Sequence, residues 1–215
     1  MLRILIIVGI VLCHGLAYAD GWYVNLGSGV SFFQRTTQNG TWFQEGQPYH
    51  MHLTDIAGKL GVGYRITSEW AVEVNGISFG RATSAGKAVP DEWYEPTIHK
   101  PKHGAPEPNH FDARQRSFGG EIVVMRSFRL GDMRPYVKGG AFATYNNMPY
   151  TIIDVPNGQV FDAIYKGYTV GLMGGAGIGW QWVYIDVNYY RGLGSLNYPI
   201  TKSDIMVIAG AQLSF

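Results

Sequence analysis

Cysteine is nearly absent from this chain of 215 residues: only Cys13 is present. A disulfide framework is therefore excluded. Charge is also scarce. Asp, Glu, Lys and Arg supply 15% of the residues, against ~25% in an average soluble domain. Neither sign dominates, with 17 Lys and Arg against 16 Asp and Glu. That balance offers no basic face for nucleic acid, and no nucleic-acid partner is expected. Long apolar runs are missing too. After the first 19 residues no stretch approaches the ~20 that a spanning helix needs.

The beginning of the chain reads MLRILIIVGIVLCHGLAYA. Arg3 supplies a positive n-region, Ile4 to Leu12 an apolar h-region, and Ala17-Tyr18-Ala19 a small-x-small cleavage pattern. This is the pattern of a secretory signal peptide over 1–19. As a membrane anchor the run is too short, and His14 interrupts it. A lipoprotein signal is discounted because Leu12, not a small residue, precedes Cys13. Cleavage near Ala19 removes Cys13 and Arg3, leaving 16 basic residues (17 − 1) against 16 acidic ones over 20–215.

What is abundant is Gly, with 29 residues, and aromatics, at 14% with Tyr the most frequent. An exported chain of low charge, rich in Gly and Tyr and without spanning helices, suits a transmembrane β-barrel. Splitting the chain by parity tests this. From 22 to 32, Trp22, Val24, Leu26, Ser28, Val30 and Phe32 oppose Tyr23, Asn25, Gly27, Gly29 and Ser31. From 54 to 66, Ile56, Leu60, Val62, Tyr64 and Ile66 oppose Asp55, Lys59, Gly61, Gly63 and Arg65.

Similar runs start at Trp70, near Ser117, at Arg134, at Tyr168, at Val183 and at Ile205. Two of them are imperfect. Ile77 and Phe79 fall on the polar parity, as a bulge or a change of environment would produce, and Val123 and Met125 fit poorly. Eight runs predict an all-β, eight-stranded antiparallel up-and-down transmembrane β-barrel over 20–215. A soluble barrel or sandwich would carry its charge on the outer face, whereas here one face is nearly free of it. The predicted connections alternate. Long ones fall near 34–52, 81–111, 146–163 and 191–203, and tight turns near 67–69, 130–133 and 181–182. Both termini then belong to the side of the short turns, which is periplasmic in such barrels.

The signal peptide, RPYVKGGAF at 134–142 and the final IAGAQLSF make the chain resemble the small outer-membrane barrels of the OmpA, OmpX and Ail type. The resemblance implies a cell outer membrane location, with outer-membrane lipid and lipopolysaccharide around the barrel. It also implies recognition of the last strand by the barrel-assembly machinery, with Leu213 and Phe215 as the assembly signal.

The candidate chemistry is sparse. Lys59, Arg65, Glu73, Glu121, Lys138 and Asp186 fall on interior parities, three cations against three anions. In a lumen of eight strands they must pair, so a salt-bridge network closing the barrel is expected, with a gated small-ion leak as the alternative. The pairs His50/His52 and His99/His103 lack the ligand set of a zinc site, and no metal or cofactor is expected. His-x-Ser does not occur, and the nearest match is His52-Leu53-Thr54. Catalysis, as in lipid A-modifying barrels, is therefore the third reading. The stretch over 81–111 is stiffened by Pro90, Pro96, Pro101, Pro106 and Pro108 and carries Trp93, Tyr94 and Phe111. With Trp42 from the first long loop, these are the candidate contacts for an external surface or protein ligand. The expected role is structural or interactive, through the long loops.

Overall fold

The computed structural model describes residues 21–35, 50–52, 54–88, 94–95, 100–101, 109–154, 159–195 and 201–215. The signal-peptide segment lies outside them. Eight strands make the barrel: β1 (Trp22–Arg35), β2 (Thr54–Arg65), β3 (Trp70–Ala88), β4 (Asn109–Ser127), β5 (Met133–Asp154), β6 (Gln159–Trp180), β7 (Val183–Ser195) and β8 (Thr201–Ser214). Each pairs antiparallel with its chain neighbour, and β1 pairs with β8, so the sheet closes. The short pieces are His50–His52, which pairs with Thr83–Ala85 of β3, and Tyr94–Glu95, which pairs with Lys100–Pro101.

The stagger follows from the register. The hydrogen-bonded row from Tyr23 runs through Gly63, Glu73, Val123, Gly140, Met173, Tyr190 and Asp204 and returns to β1 at Phe33. The shear is therefore 10 residues (33 − 23). Strands in such a barrel tilt by roughly 35–45°, and eight of them leave an interior that side chains can fill.

The outer face is apolar between two aromatic girdles. Trp22, Trp70, Trp180 and Phe215 are exposed at the end of the short turns, and Phe32, Phe118, Tyr168 and Tyr189 toward the loop end. Leu26, Leu60, Ile122, Leu172 and Ile185 are exposed between them. In water this belt would drive aggregation; in a bilayer it is solvated by acyl chains. Every backbone group of the belt meets a neighbouring strand, as a spanning structure requires.

The parity expected for each strand holds through the belt, but the strand ends differ from the expected loops. β3 continues to Ala88 and β4 begins at Asn109, inside the stretch assigned to a loop over 81–111. β5 reaches Asp154 and β6 starts at Gln159, so most of the expected loop over 146–163 is a hairpin. His50–His52 likewise forms strand within the expected first loop. The cause is that ladder hydrogen bonds continue where the side chains no longer alternate. The four strands β3 to β6, at 19, 19, 22 and 22 residues, form a tall wall, while the others run to 12–14.

Gly80 sits at a bulge. Phe79 is the extra residue between Ser78 and Gly80, and Gly80 has φ +79°. That value favours glycine. The bulge switches the parity of β3, so Phe79 and Ala82 both point inward.

Candidate functional site

The lumen is layered. At the turn end, Tyr23, Ala71, Met125 and Tyr136 are buried together. Gly63 and Gly177 make room for the two tyrosines, since a Cβ at either would meet the Tyr23 or Tyr136 ring. Arg65 lies over the Tyr23 ring at 5.1 Å and donates to Ser214 Oγ at 3.2 Å.

The middle layer holds the buried charges. Asp186, on β7, accepts hydrogen bonds from Lys59 Nζ on β2 at 3.1 Å and from Lys138 Nζ on β5. The side chains of all three are 1% exposed. Asn188 Nδ2 donates to the other Asp186 oxygen at 2.6 Å. Two further carboxylates form a second centre around Asn75. Its Nδ2 donates to Glu73 at 3.2 Å and to Glu121 at 2.9 Å. Tyr23 donates to Glu73 at 2.9 Å and Tyr190 to Glu121 at 2.7 Å. Ionised groups this deep persist only when hydrogen-bonded or paired. The structure therefore brings Lys59, Lys138 and Asp186 together, bridges Glu73 to Glu121 through Asn75, and places Arg65 nearer the turn end.

Beyond these charges, toward the loop end, the lumen turns apolar. Phe79 and Phe142 each meet the Tyr190 ring edge-on, at centroid distances of 4.8 and 5.3 Å. Ile77, Val123, Met173, Met206 and Ile208 fill the space around them. This layer was missed by parity, which marks an apolar residue on the interior side only as a defect. The usable signal was that Ile77, Phe79 and Val123 form a group on neighbouring strands. Above it the lumen is polar again, with Gln115, Ser117, Asn146 and Thr169 joined by hydrogen bonds.

A cavity of about 50 Å³ enters from the turn end, lined by Asp132, Arg134, Gln181 and Gln212 and reaching Lys59, Lys138 and Asp186. It has room for a few waters.

The other candidates are scattered. Leu213 and Phe215 point outward at the turn end, where the Phe215 N–H donates to the Trp22 carbonyl. Phe111 lies in β4 opposite Gly86 and Ile152, and Tyr94 lies in the two-residue strand opposite Pro101. Trp42 and Trp93 lie outside the described residues, as do His99 and His103. No cluster of three or more His, Cys, Asp or Glu able to hold a metal occurs among the described residues.

No protein-family model and no curated protein matches this chain. Solved structures do. The outer membrane protein OprG of Pseudomonas aeruginosa aligns with 93% of this chain and 99% of its own at 10% identity, with a TM-score of 0.50. The N-terminal β-barrel domain of P. aeruginosa OprF aligns with 92% of this chain and 100% of its own at 12% identity and TM-score 0.45. Neisserial surface protein A aligns over 91% and 97% at 13% identity and TM-score 0.43. At such identities the likeness is one of fold. The chain has the fold of the small eight-stranded outer-membrane barrels, a class set apart by its closed sheet and lipid-facing belt.

Proposed function

We propose that this chain is an outer-membrane barrel with a shut lumen, acting through surfaces outside the barrel. In this reading the short turns and termini face the periplasm, lipopolysaccharide surrounds the loop end, and Leu213 and Phe215 are contacted during assembly. The barrel anchors a wall of strands above the membrane, where an external surface or protein ligand is met. Catalysis has no part in it.

The observation that carries the reading is the layer of Phe79, Tyr190 and Phe142 across the lumen. Support for the outer role comes from the β5–β6 hairpin, which continues to Asp154 and Gln159 with Val160, Phe161 and Ile164 exposed. Exposed apolar groups on a rigid ladder bind partners without a large ordering cost.

The test uses the full chain in planar bilayers and on cells. Wild type is expected to give no stepwise conductance. Replacing 148–165 with Asn-Gly, so that Asn147 and Lys166 flank a two-residue turn, is expected to lower adherence of expressing cells while leaving barrel insertion intact. Stepwise conductance would overturn the shut lumen, and unchanged adherence would overturn the role of the hairpin. A narrow pore is the second reading, favoured by the cavity that reaches Lys59 and Asp186 from the turn end.

A further inference from the structure

The tall wall carries an arrangement of charge on its outer face that the barrel itself does not neutralise. Arg81 of β3 and Arg116 of β4 are direct cross-strand partners, and both are exposed. Like charges in that register repel. Among the described residues, neither guanidinium has a carboxylate within 4 Å. The Arg81 backbone N–H does bond to Asp55 Oδ2 at 2.6 Å, but that carboxylate also accepts from the Ile56 N–H. The row continues along the ladder from Arg116 to Asn147 of β5 and then to Lys166 of β6. Arg114, one outward position beyond Arg116, is paired to Asp112 at 3.4 Å.

The position of this row is as telling as its charge. One outward position nearer the turn end runs a parallel aromatic row: Phe118, Tyr145 and Tyr168. Their rings stand 5.4 and 5.2 Å apart. Aromatic girdles mark the depth where acyl chains give way to headgroups. The cations therefore sit at headgroup depth, facing lipid rather than lumen. Facing guanidiniums bind phosphate well, since each presents a planar fork of donors.

We propose that Arg81 and Arg116, flanked by Lys166, form a site on the barrel wall for a phosphate group of lipopolysaccharide in the surrounding leaflet. The assignment to lipopolysaccharide rests on the loop end facing outward, as in the function proposed above. A bound phosphate removes the Arg81–Arg116 repulsion, which makes the lipid a structural partner of the tall wall.

The test uses the refolded full chain in neutral detergent micelles, with purified lipid A and enzymatically dephosphorylated lipid A as probes. Native mass spectrometry reads the retained lipid. Wild type should retain phosphorylated lipid A at least about tenfold better than the dephosphorylated form. R81Q/R116Q should lose that preference, whereas R126Q, at the opposite rim, should keep it. Millimolar inorganic phosphate should not displace the lipid.

Equal retention of the two lipids by wild type overturns the site, even if the double variant does not fold. A folded double variant that keeps the preference overturns the residue assignment. Displacement by inorganic phosphate overturns the commitment to a lipid. Location is read separately, by membrane fractionation of expressing cells. A chain found outside the outer membrane sinks the functional reading, whereas the micelle result judges the site alone.

Discussion

The hairpin of β5 and β6 is one ladder in two environments. Its register runs unbroken from Met133–Trp180 to Asp154–Gln159. In its lower part the faces differ sharply: Thr169, Gly171 and Met173 are buried, while Tyr168, Val170 and Leu172 are exposed. In its upper part, residues 159–166 are exposed on both faces. The backbone bonds are the same in kind; the surroundings are not. Below, lumen and lipid each select side chains for one face. Above, nothing selects them, and the strand pairs carry the structure with little burial. The hydrogen-bonded ladder thus sets the shape, and the environment sets the chemistry.

The largest expected contrast lies between the interior of the belt and everything above it. D186N would leave the Lys59 and Lys138 ammoniums buried without their shared carboxylate. Removing one partner of a buried pair costs about 3–5 kcal/mol. Urea unfolding of the barrel in lipid vesicles should register that loss, and adding K138M should recover part of it by removing one uncompensated charge. A loss below about 1 kcal/mol would mean that water reaches these groups freely, erasing the distinction between the two regions.

The next test places one substitution in both environments. Leu172 and Ile164 lie on β6, with outward side chains exposed by 56% and 60%. Exposure alone predicts equal outcomes. Lipid predicts unequal ones: a Lys at the belt's midplane costs about 2–4 kcal/mol, falling to 0–1 near the interface. L172K should therefore destabilise the folded barrel in vesicles by that larger amount, and I164K by less than about 0.5 kcal/mol. Equal losses would place Ile164 in the bilayer and raise the boundary drawn at Phe118, Tyr145 and Tyr168.

The same contrast explains what could be read from the sequence. The eight strands were legible because lipid enforces alternation at positions such as Leu26, Leu60, Ile122 and Leu172. The interior charges were legible because Lys59 and Asp186 are conspicuous on an otherwise small and polar parity. The apolar layer was not, because Phe79, Val123 and Phe142 satisfy a packing demand that has no period of its own. The upper strands were not either. Over 159–166 both faces are exposed, so turn-like composition and strand backbone coexist. Arg81 and Arg116 were hidden for the same reason: Arg81 fell within a stretch read as loop, and the pairing that sets the two face to face is set by the bulge at Phe79.

The smallest expected effect lies at the top of the hairpin. Tyr150 and Tyr165 stack there, 5.2 Å apart at 18°. Partial burial, followed by the neighbouring Tyr165 hydroxyl as a charge and a hydrogen-bond partner, holds the Tyr150 hydroxyl above the ordinary tyrosine range. A raised value in the folded state favours the neutral phenol. Its contribution is complete below the unfolded tyrosine value near ~10 and is lost as pH rises through the higher folded one. Y165F removes the partner hydroxyl while keeping the ring, so Tyr150 should titrate closer to the ordinary value and the stack should persist. Heteronuclear NMR of ring-labelled tyrosine in micelles follows both. The lower barrel should show no accompanying change, because the hairpin tip bears no packed interior. An unshifted Tyr150 titration would mean that the Tyr165 hydroxyl contributes nothing, and a loss of barrel signals would mean that the two regions are coupled after all.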